Sequence, residues 1–265
     1  MKKLLALVMA VLMMATIFAG CGDKAEKMIV VAEKESAGEE VAQKEADFED
    51  YKYTAVDTQS KALTEVKSGT ADAAVVDYVM SIGSIGEGTD YADLVVEGDG
   101  YSEEEYGIAF RKGSDLTAKI NEIIRELKAD GTLKTVAEKY KLQDILLGDK
   151  ETDAFVQSET DSDYKYVMDK GELVIGITYF APMNYENEDG ELVGFETEFA
   201  KAVCAKLGVN AKFQEISWAA KETELEAKNI DCIWNGMTIT EKREENMSVS
   251  IPYMQNKQVK VVKSK

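Results

Sequence analysis

The sequence predicts an α/β protein with two lobes, each built on a mostly parallel sheet flanked by helices. Short apolar segments alternate along the chain with amphipathic segments of helical periodicity. This alternation is typical of β-α-β units, which produce parallel sheets. A chain of 265 residues, of which 45% are hydrophobic, is long and apolar enough to form two modest lobes with separate cores.

The composition limits the classes of function. The formal net charge is -19, and an acidic surface of this kind repels nucleic acids and anionic membranes, so we expect neither as a partner. The chain has no histidine, which removes the most common general base and metal ligand. We therefore expect no catalytic histidine, no metal site and no cofactor.

Residues 1–21 are predicted to be a secretory signal that ends in a lipidation site. Two lysines precede an apolar run from Leu4 to Phe18, which is too short to span a membrane once it is cleaved. The sequence Phe18-Ala19-Gly20-Cys21 resembles a lipobox, in which the cysteine becomes the lipidated N-terminus and anchors the protein to the membrane. A plain cleaved signal is the alternative.

The other two cysteines are interpreted as core residues. Cys204 lies in a predicted amphipathic helix and Cys232 in a predicted buried strand. Neither has CxxC or metal-ligand spacing. A disulfide between them is the alternative.

Residues 28–108 contain strands and helices in alternation. The predicted strands are Met28–Ala32, Tyr51–Val56 and Asp72–Val76. One helix opens at Ser36-Ala37-Gly38, and a second spans Ser60–Lys67 before a glycine that ends it. Ligands of parallel sheets bind beyond the carboxyl ends of the strands, where Ser36 and Asp77 fall.

The second part of the chain begins with another strand, Tyr106–Phe110, and contains three longer helices. The helices are predicted around 116–127, 132–140 and 195–207. Residues 147–163 are acidic and polar with almost nothing to bury, so we interpret them as a linker.

The segment Ile230–Tyr253 is the most informative about function. A buried strand ends at Asn235-Gly236, and Thr238, Thr240 and Arg243 follow within a few residues. Because glycine has no Cβ, the backbone there is expected to approach a ligand closely. Threonine hydroxyls, backbone N–H groups and a guanidinium together suit a planar carboxylate.

Three segments resemble bacterial amino-acid-binding proteins, the solute receptors of ABC importers. They are GMTITEKR with the following SIPY in Gly236–Tyr253, GELVIGITYFAPMNYENEDGELVG in Gly171–Gly194, and EYGIAFRKGSD in Glu105–Asp115. The resemblance implies a two-lobed fold of the periplasmic-binding-protein type. In that family the third segment comes last, so the order here is that of a circular permutant. Residues 24–108 then form lobe two and 109–265 form lobe one, and the linker joins the family's usual termini.

The resemblance implies how the charged ends of a ligand would be bound. Arg243 would bind the α-carboxylate together with Thr238 of lobe one. Asp77 of lobe two and the Gly236 carbonyl would accept hydrogen bonds from the α-ammonium group.

It also implies which residues surround the ligand side chain. Phe180 and Trp218 take the positions of the family's enclosing aromatic residues, and Asn235 is expected to contact a polar side chain. Some family members have an aspartate near position 177, where it meets a basic or amide side chain, whereas this chain has Ile177. We therefore expect a neutral amino acid, polar or aromatic.

The start of the lobe-two helix departs from the family pattern. The site is expected to include Ser36, Ala37 and Gly38, but Glu35 replaces the usual glycine and Ala37 the usual threonine. Because the hydroxyl at position 37 is missing, we expect backbone N–H groups at the helix start to serve in its place.

The expected function is high-affinity capture of a free L-amino acid between two closing lobes and delivery to an ABC permease. The protein would be a monomeric lipoprotein on the outer face of the cell membrane or in the periplasm. One alternative is a dehydratase of the same fold that acts on cyclohexadienyl acids, with Glu33 or Glu35 as the general acid. Another is a ligand-sensing ectodomain, although no transmembrane or signalling segment follows residue 265.

Overall fold

The computed structural model describes residues 27–265, so the predicted signal and Cys21 lie outside the described residues. The strands are β1 (Met28–Glu33), β2 (Tyr51–Val56), β3 (Ala73–Asp77), β4 (Leu94–Arg111), β5 (Glu172–Ile177), β6 (Tyr185–Glu186), β7 (Leu192–Val193), β8 (Asn210–Glu215), β9 (Cys232–Thr238), β10 (Met247–Val249) and β11 (Met254–Lys263). The helices are α1 (Ala37–Lys44), α2 (Gln59–Ser68), α3 (Tyr78–Ser84), α4 (Leu116–Ala129), α5 (Thr132–Lys139), α6 (Asp163–Lys170), α7 (Phe195–Leu207), α8 (Lys221–Glu226) and α9 (Glu241–Asn246).

One sheet runs through both lobes. Its strands follow the order β2-β1-β3-β11-β4-β9-β5-β8, and β10 pairs with β4 beside this path. The three strands at each end, β2-β1-β3 and β9-β5-β8, are parallel, whereas β11 and β4 pair antiparallel with their neighbours. The predicted α/β class with parallel sheets is therefore confirmed.

The helices begin and end close to the positions that the sequence predicts. The Thr58 hydroxyl caps α2 by accepting a hydrogen bond from the Lys61 N–H, and Gly69 ends this helix with φ 79°. A left-handed residue at this point satisfies the last carbonyls, and glycine adopts that conformation without strain. Among the described residues, no helix is both long enough and apolar enough to cross a membrane.

The longest strand, β4, crosses from lobe two to lobe one. Its first half pairs with β11, and its second half pairs with β9 and β10. The predicted lobe boundary at 108/109 does not account for β11, because Gln258–Val261 pair with β3 of lobe two. The C-terminal strand thus lies in the lobe-two part of the sheet, although the sequence prediction assigned it to lobe one.

The linker is irregular but lies against lobe one. Residues 147–162 form no helix or strand. The Phe155 N–H donates to the Glu122 carboxylate of α4 at 2.9 Å, and the Ser158 N–H donates to Asp115 at 2.9 Å. The predicted end of the linker at residue 163 is wrong, because Asp163 is the first residue of α6 and is buried.

The two cysteines are buried free thiols. Cys204 lies on α7 and Cys232 at the start of β9. Their interpretation as core residues is confirmed, and no disulfide joins them.

A largely buried ion pair fixes α6 to β4. The Arg111 guanidinium donates to both Asp163 oxygens, with Nε at 3.0 and 3.1 Å, and its Nη1 donates to the carbonyls of Leu225 and Ile230. The carboxylate of Asp231 lies 3.8 Å from the same guanidinium. Loss of this arginine would leave the buried Asp163 carboxylate without its cation, which is a strongly unfavourable state, whereas Asp231 would keep its ion pair with Lys170.

We expect Arg111→Met to lower the free energy of unfolding by about 3–5 kcal/mol, the usual cost of breaking a buried ion pair from one side. Urea denaturation followed by circular dichroism measures this change. The matched control is Lys134→Met, because the Lys134 side chain is 70% exposed and its nearest carboxylate is 3.8 Å away. Equal unfolding midpoints for the two variants would contradict the structural role of Arg111.

Candidate ligand-binding site

A small cavity between the lobes brings most of the predicted binding residues together. Its lining residues are Glu33, Ser36, Ala37, Gln59, Asp77, Trp218, Asn235, Gly236, Thr238 and Arg243. Within this cavity, the volume that the centre of a water molecule can occupy is only ≈ 10 Å³. The two lobes are therefore closed around it. A wider cleft of ≈ 490 Å³ adjoins it and shares Ser36, Ala37, Thr238 and Arg243 with it.

Arg243 lies on the lobe-one side of this cavity and is 8% exposed. Its Nη1 donates to the Thr238 carbonyl at 2.6 Å and its Nη2 to the Glu35 carbonyl at 3.4 Å. Among the described residues, no carboxylate forms a salt bridge with Arg243. The guanidinium is thus a buried cation whose hydrogen bonds go to neutral oxygens, and an incoming carboxylate would neutralise it.

Asp77 faces the same cavity from the carboxyl end of β3. Its Oδ1 accepts hydrogen bonds from the side-chain amides of Asn256 at 2.5 Å and Gln258 at 2.8 Å, and its Oδ2 accepts from the Gln59 amide. Burial raises the pKa of Asp77, and the amide hydrogen bonds oppose this effect. The aspartate is therefore held in place by neutral donors, and its charge has no cationic partner in hydrogen-bonding contact.

Glu104 forms the third polar element of the cleft and was missed by the sequence analysis. Its Oε2 accepts from the Thr238 hydroxyl at 2.9 Å, from Asn256 at 2.9 Å and from Gln258 at 3.0 Å. Burial raises the pKa of Glu104, and the charge of nearby Asp77 raises it further. The segment 102–105 is polar and strongly acidic and is therefore typical of an exposed loop. Its position on β4 places all three of its glutamates along the wider cleft, and Glu104 is the one that accepts hydrogen bonds from Thr238, Asn256 and Gln258.

Glu33 lines the cavity from the carboxyl end of β1 and is 3% exposed. Its Oε1 is buried and has no hydrogen-bond partner among the described residues. Leaving a buried polar group unpaired costs about 1–3 kcal/mol. Burial raises the pKa of Glu33 to about 8, Asp77 adds to the increase, and Lys221 opposes it.

A single backbone carbonyl of lobe two, that of Glu35, holds the two lobes in contact. It accepts from Trp218 Nε1 at 3.1 Å, from Lys221 Nζ at 3.4 Å and from the Arg243 guanidinium. Residue Glu35 has φ 60°. Glycine adopts this left-handed conformation without strain. This explains why glycine is the usual residue of the family at the position where this chain has Glu35.

Lys221 is a second buried cation near the cavity. Its ammonium group lies 4.8 Å from the centre of the Trp218 ring and also donates to the Trp218 carbonyl. Burial lowers the pKa of Lys221 to about 8, and the Arg243 charge contributes to this decrease. The sequence analysis did not predict a role in the cleft for this lysine.

Two of the ten predicted binding residues, Phe180 and Gly38, do not line the cavity. The Phe180 ring packs against Gly236, where a Cβ atom would lie 2.8 Å from Phe180 Cζ. The missing Cβ of Gly236, which has φ 57°, therefore accommodates an aromatic ring of the core. At Gly38 a Cβ would lie 2.9 Å from the Val75 carbonyl, so this glycine allows α1 to pack closely on β3.

Two further predicted residues line the cavity with their polar groups already engaged. The Asn235 amide donates to the Thr178 hydroxyl at 2.6 Å, and its Oδ1 accepts from the Thr178 N–H and from Asn184. The Ser36 hydroxyl accepts from the Glu39 N–H and thereby caps α1. The amide group of Asn235 is therefore occupied by contacts within the protein. This differs from the expectation that Asn235 contacts a polar side chain of the ligand.

The fold places a cavity between two lobes, and part of the chain is similar to known solute-binding proteins. Residues 173–265 match the model of the bacterial extracellular solute-binding proteins, family 3. The match covers about a third of the chain.

Individual relatives match over a limited part of their length. L-cystine-binding protein TcyJ of Escherichia coli (strain K12) is 34% identical over 88 residues, which is 33% of this chain and 33% of that protein. Among solved structures, an arginine-bound mutant of domain 1 from TmArgBP is 30% identical and has a TM-score of 0.34, covering 38% of this chain and 84% of that chain. A variant of the ancestral cyclohexadienyl dehydratase AncCDT-3 is 30% identical with a TM-score of 0.30, covering 31% and 34%. The chain thus spans about a third of the length of the curated relatives it matches.

The raised pKa of Glu33 predicts how stability depends on pH. Between its usual pKa of 4.5 and the folded-state pKa of about 8, the folded protein retains a proton that the unfolded chain has released. The stability contributed by this proton is complete below pH 4.5 and is lost as the pH rises through 8. Because glutamine is uncharged throughout, Glu33→Gln should become increasingly more stable than the wild type between pH 5 and pH 8.

Thermal or urea unfolding at several pH values measures this difference. Glu87→Gln is the control, because Glu87 is exposed on the same lobe and lines neither cavity. Its stability should follow the wild-type pH profile. A constant difference between Glu33→Gln and the wild type across this range would contradict a raised pKa at Glu33.

Proposed function

We propose that the protein captures a free L-amino acid in the cleft and delivers it to the permease of an ABC importer. The observation that carries this proposal is the cavity in which Arg243 of lobe one and Asp77 of lobe two face the same space without a salt-bridge partner of opposite charge. A zwitterion would supply a carboxylate for the first and an ammonium group for the second. The match of residues 173–265 to a solute-binding family and the similarity to a cystine-binding relative support this function.

The proposed mechanism is closure of the lobes around the ligand. Only in the closed state are both charged ends of an amino acid paired, so the ligand stabilises that state relative to the open one. The closed cavity is too small for an amino acid without rearrangement, so entry requires the lobes to separate. Separation breaks the three hydrogen bonds to the Glu35 carbonyl, and β4 and β11 serve as the hinge.

A second candidate function is dehydration of a cyclohexadienyl acid. The specific observation in its favour is Glu33, because a carboxyl group that retains its proton at neutral pH is suited to act as a general acid. Turnover of a prephenate-like acid by the purified protein would establish this activity. We favour a binding protein without catalysis, since the matched family is one of solute-binding proteins.

The proposed location is outside the cytoplasm. The matched family is described as extracellular. We propose that the signal at residues 1–21 directs export and that a lipid on Cys21 then anchors the protein to the membrane.

The chain order is proposed to be a circular permutation of the family order. Val31 of β1 and Val261 of β11 both pair with Ala74 of β3, from opposite sides. With two strand spacings between them, these residues are about 10 Å apart. A short connection would therefore join the end of β11 to the start of β1, and the irregular segment 147–162 is the place where the family's own termini would meet.

A rearranged chain tests the permutation. It would begin at Asp163, continue through Lys265 into residue 27, and end at residue 147, with a few glycine and serine residues at the new junction. We expect it to fold and to bind ligand as the present chain does, because the new connection needs to span only about 10 Å. Failure of the rearranged chain to fold would count against this proposal.

We expect Arg243→Ala to abolish amino-acid binding while leaving the fold intact, because the ligand carboxylate loses its only guanidinium partner in the cavity. A thermal shift assay against the twenty amino acids first identifies ligands of the wild type by the rise in unfolding midpoint. The matched control is Arg125→Ala, since Arg125 is exposed and pairs only with Asp149 of the linker. Retained affinity in Arg243→Ala would refute the carboxylate assignment.

A further inference from the structure

We infer that Glu33 determines ligand specificity and selects an amino acid with a positively charged side chain. This inference rests on the proposed function and names the ligand class of the same cleft. It replaces the sequence-based expectation of a neutral ligand, which rested on Ile177 in place of a family aspartate.

The first observation is the unpartnered oxygen of Glu33. The residue lines the inner cavity and is nine-tenths or more buried, yet its Oε1 meets no donor among the described residues. The two other cleft acids, Asp77 and Glu104, each accept hydrogen bonds from two or more side chains. Glu33 is the one acid of these three whose side chain accepts no hydrogen bond among the described residues.

A structural role does not account for this arrangement. A buried carboxyl group that stabilises the core is surrounded by donors, and Glu196 of α7 illustrates this. It accepts from the Tyr253 hydroxyl, from the Gly236 N–H at 2.8 Å and from the Asn184 amide at 2.8 Å. Glu33 is as deeply buried as a core residue but lacks every such contact and points into a cavity instead.

The second observation is the charge of the inner cavity. Its lining contains two carboxyl groups, those of Glu33 and Asp77, and one cation, Arg243. A zwitterion with a neutral side chain pairs with Asp77 and Arg243 and leaves Glu33 without a partner. A second positive group on the ligand completes the pairing, and a buried charge is stable only when it is paired.

The groups around Glu33 allow such a ligand. Asp77 is the nearest charged group on the same lobe and disfavours ionisation of Glu33, whereas Lys221 across the cleft favours it. Lys221 does not line the inner cavity, and its ammonium group donates to the carbonyls of Trp218 and Glu35. A guanidinium or ammonium group of the ligand would therefore be the cation closest to the Glu33 carboxylate and would displace its proton.

Calorimetric titration with matched ligand pairs tests the inference. The first pair is L-arginine and L-citrulline, which have nearly the same shape but differ in charge, and the second is L-lysine and L-norleucine. We expect the wild type to prefer the charged member of at least one pair by about tenfold or more, and Glu33→Gln to lose that preference while still binding the neutral member. Glu87→Gln, which removes an exposed carboxylate of the same lobe, should behave as the wild type.

A second measurement does not depend on the variant being folded. Titration of the wild type at pH 7 in two buffers of different ionisation enthalpy reports the protons released on binding. We expect Glu33 to release a proton when the charged ligand binds. When the neutral counterpart binds, we expect Glu33 to keep its proton.

The outcomes separate this inference from the proposed function. If none of the twenty amino acids binds to the wild type, both are overturned. If amino acids bind but the wild type has equal affinity for the charged and the neutral ligand, only the role of Glu33 is overturned. The same conclusion holds if the ratio of these two affinities is the same in the wild type and in Glu33→Gln. Absence of proton release with a tightly bound cationic ligand likewise refutes only the role of Glu33.

Discussion

The antiparallel pairing of β4 with β11 is the constraint on which the cleft depends. These two strands lie between the parallel strands of the two lobes, so every connection between the lobes within the sheet passes through them. They also carry the hydrogen-bond network behind Asp77, because β4 contributes Glu104 and β11 contributes Asn256 and Gln258. The amides of these two residues bind the carboxylates of both Glu104 and Asp77. The strands that join the two lobes therefore also hold the carboxylate of Asp77 in place.

The charged groups of the cleft are divided between the two lobes by sign. The acids Glu33 and Asp77 belong to lobe two, whereas Arg243 and Lys221 belong to lobe one. In the closed form the two cations donate to backbone carbonyls rather than to these acids. Buried charges that find only neutral partners are costly, and a ligand that carries both signs removes that cost. The closed form is thus best stabilised when the cleft is filled by a molecule of complementary charge.

The sequence predicted much of the fold and part of the site for a common reason. Amphipathic periodicity and apolar runs are local properties, so the helices and most strands were found near their true positions. Arg243 and Asp77 were identified because the segments that contain them resemble family segments that bind the charged ends of an amino acid. Phe180 and Gly38 were wrongly placed at the cavity, since a local pattern cannot tell whether a ring or a missing Cβ serves the core or a ligand.

By itself, the sequence determined the α/β class, the acidic surface, the family segments and the two charged residues that face each other across the cleft. Only the tertiary structure decided that β11 lies beside β3, that Glu104 of an acidic run faces the wider cleft, and that Glu33 is buried with no hydrogen-bond partner for its Oε1 among the described residues. The reason is physical. The environment of a side chain is set by strands that are distant in sequence, and neither its burial nor its hydrogen-bond partners can be deduced until those strands are placed.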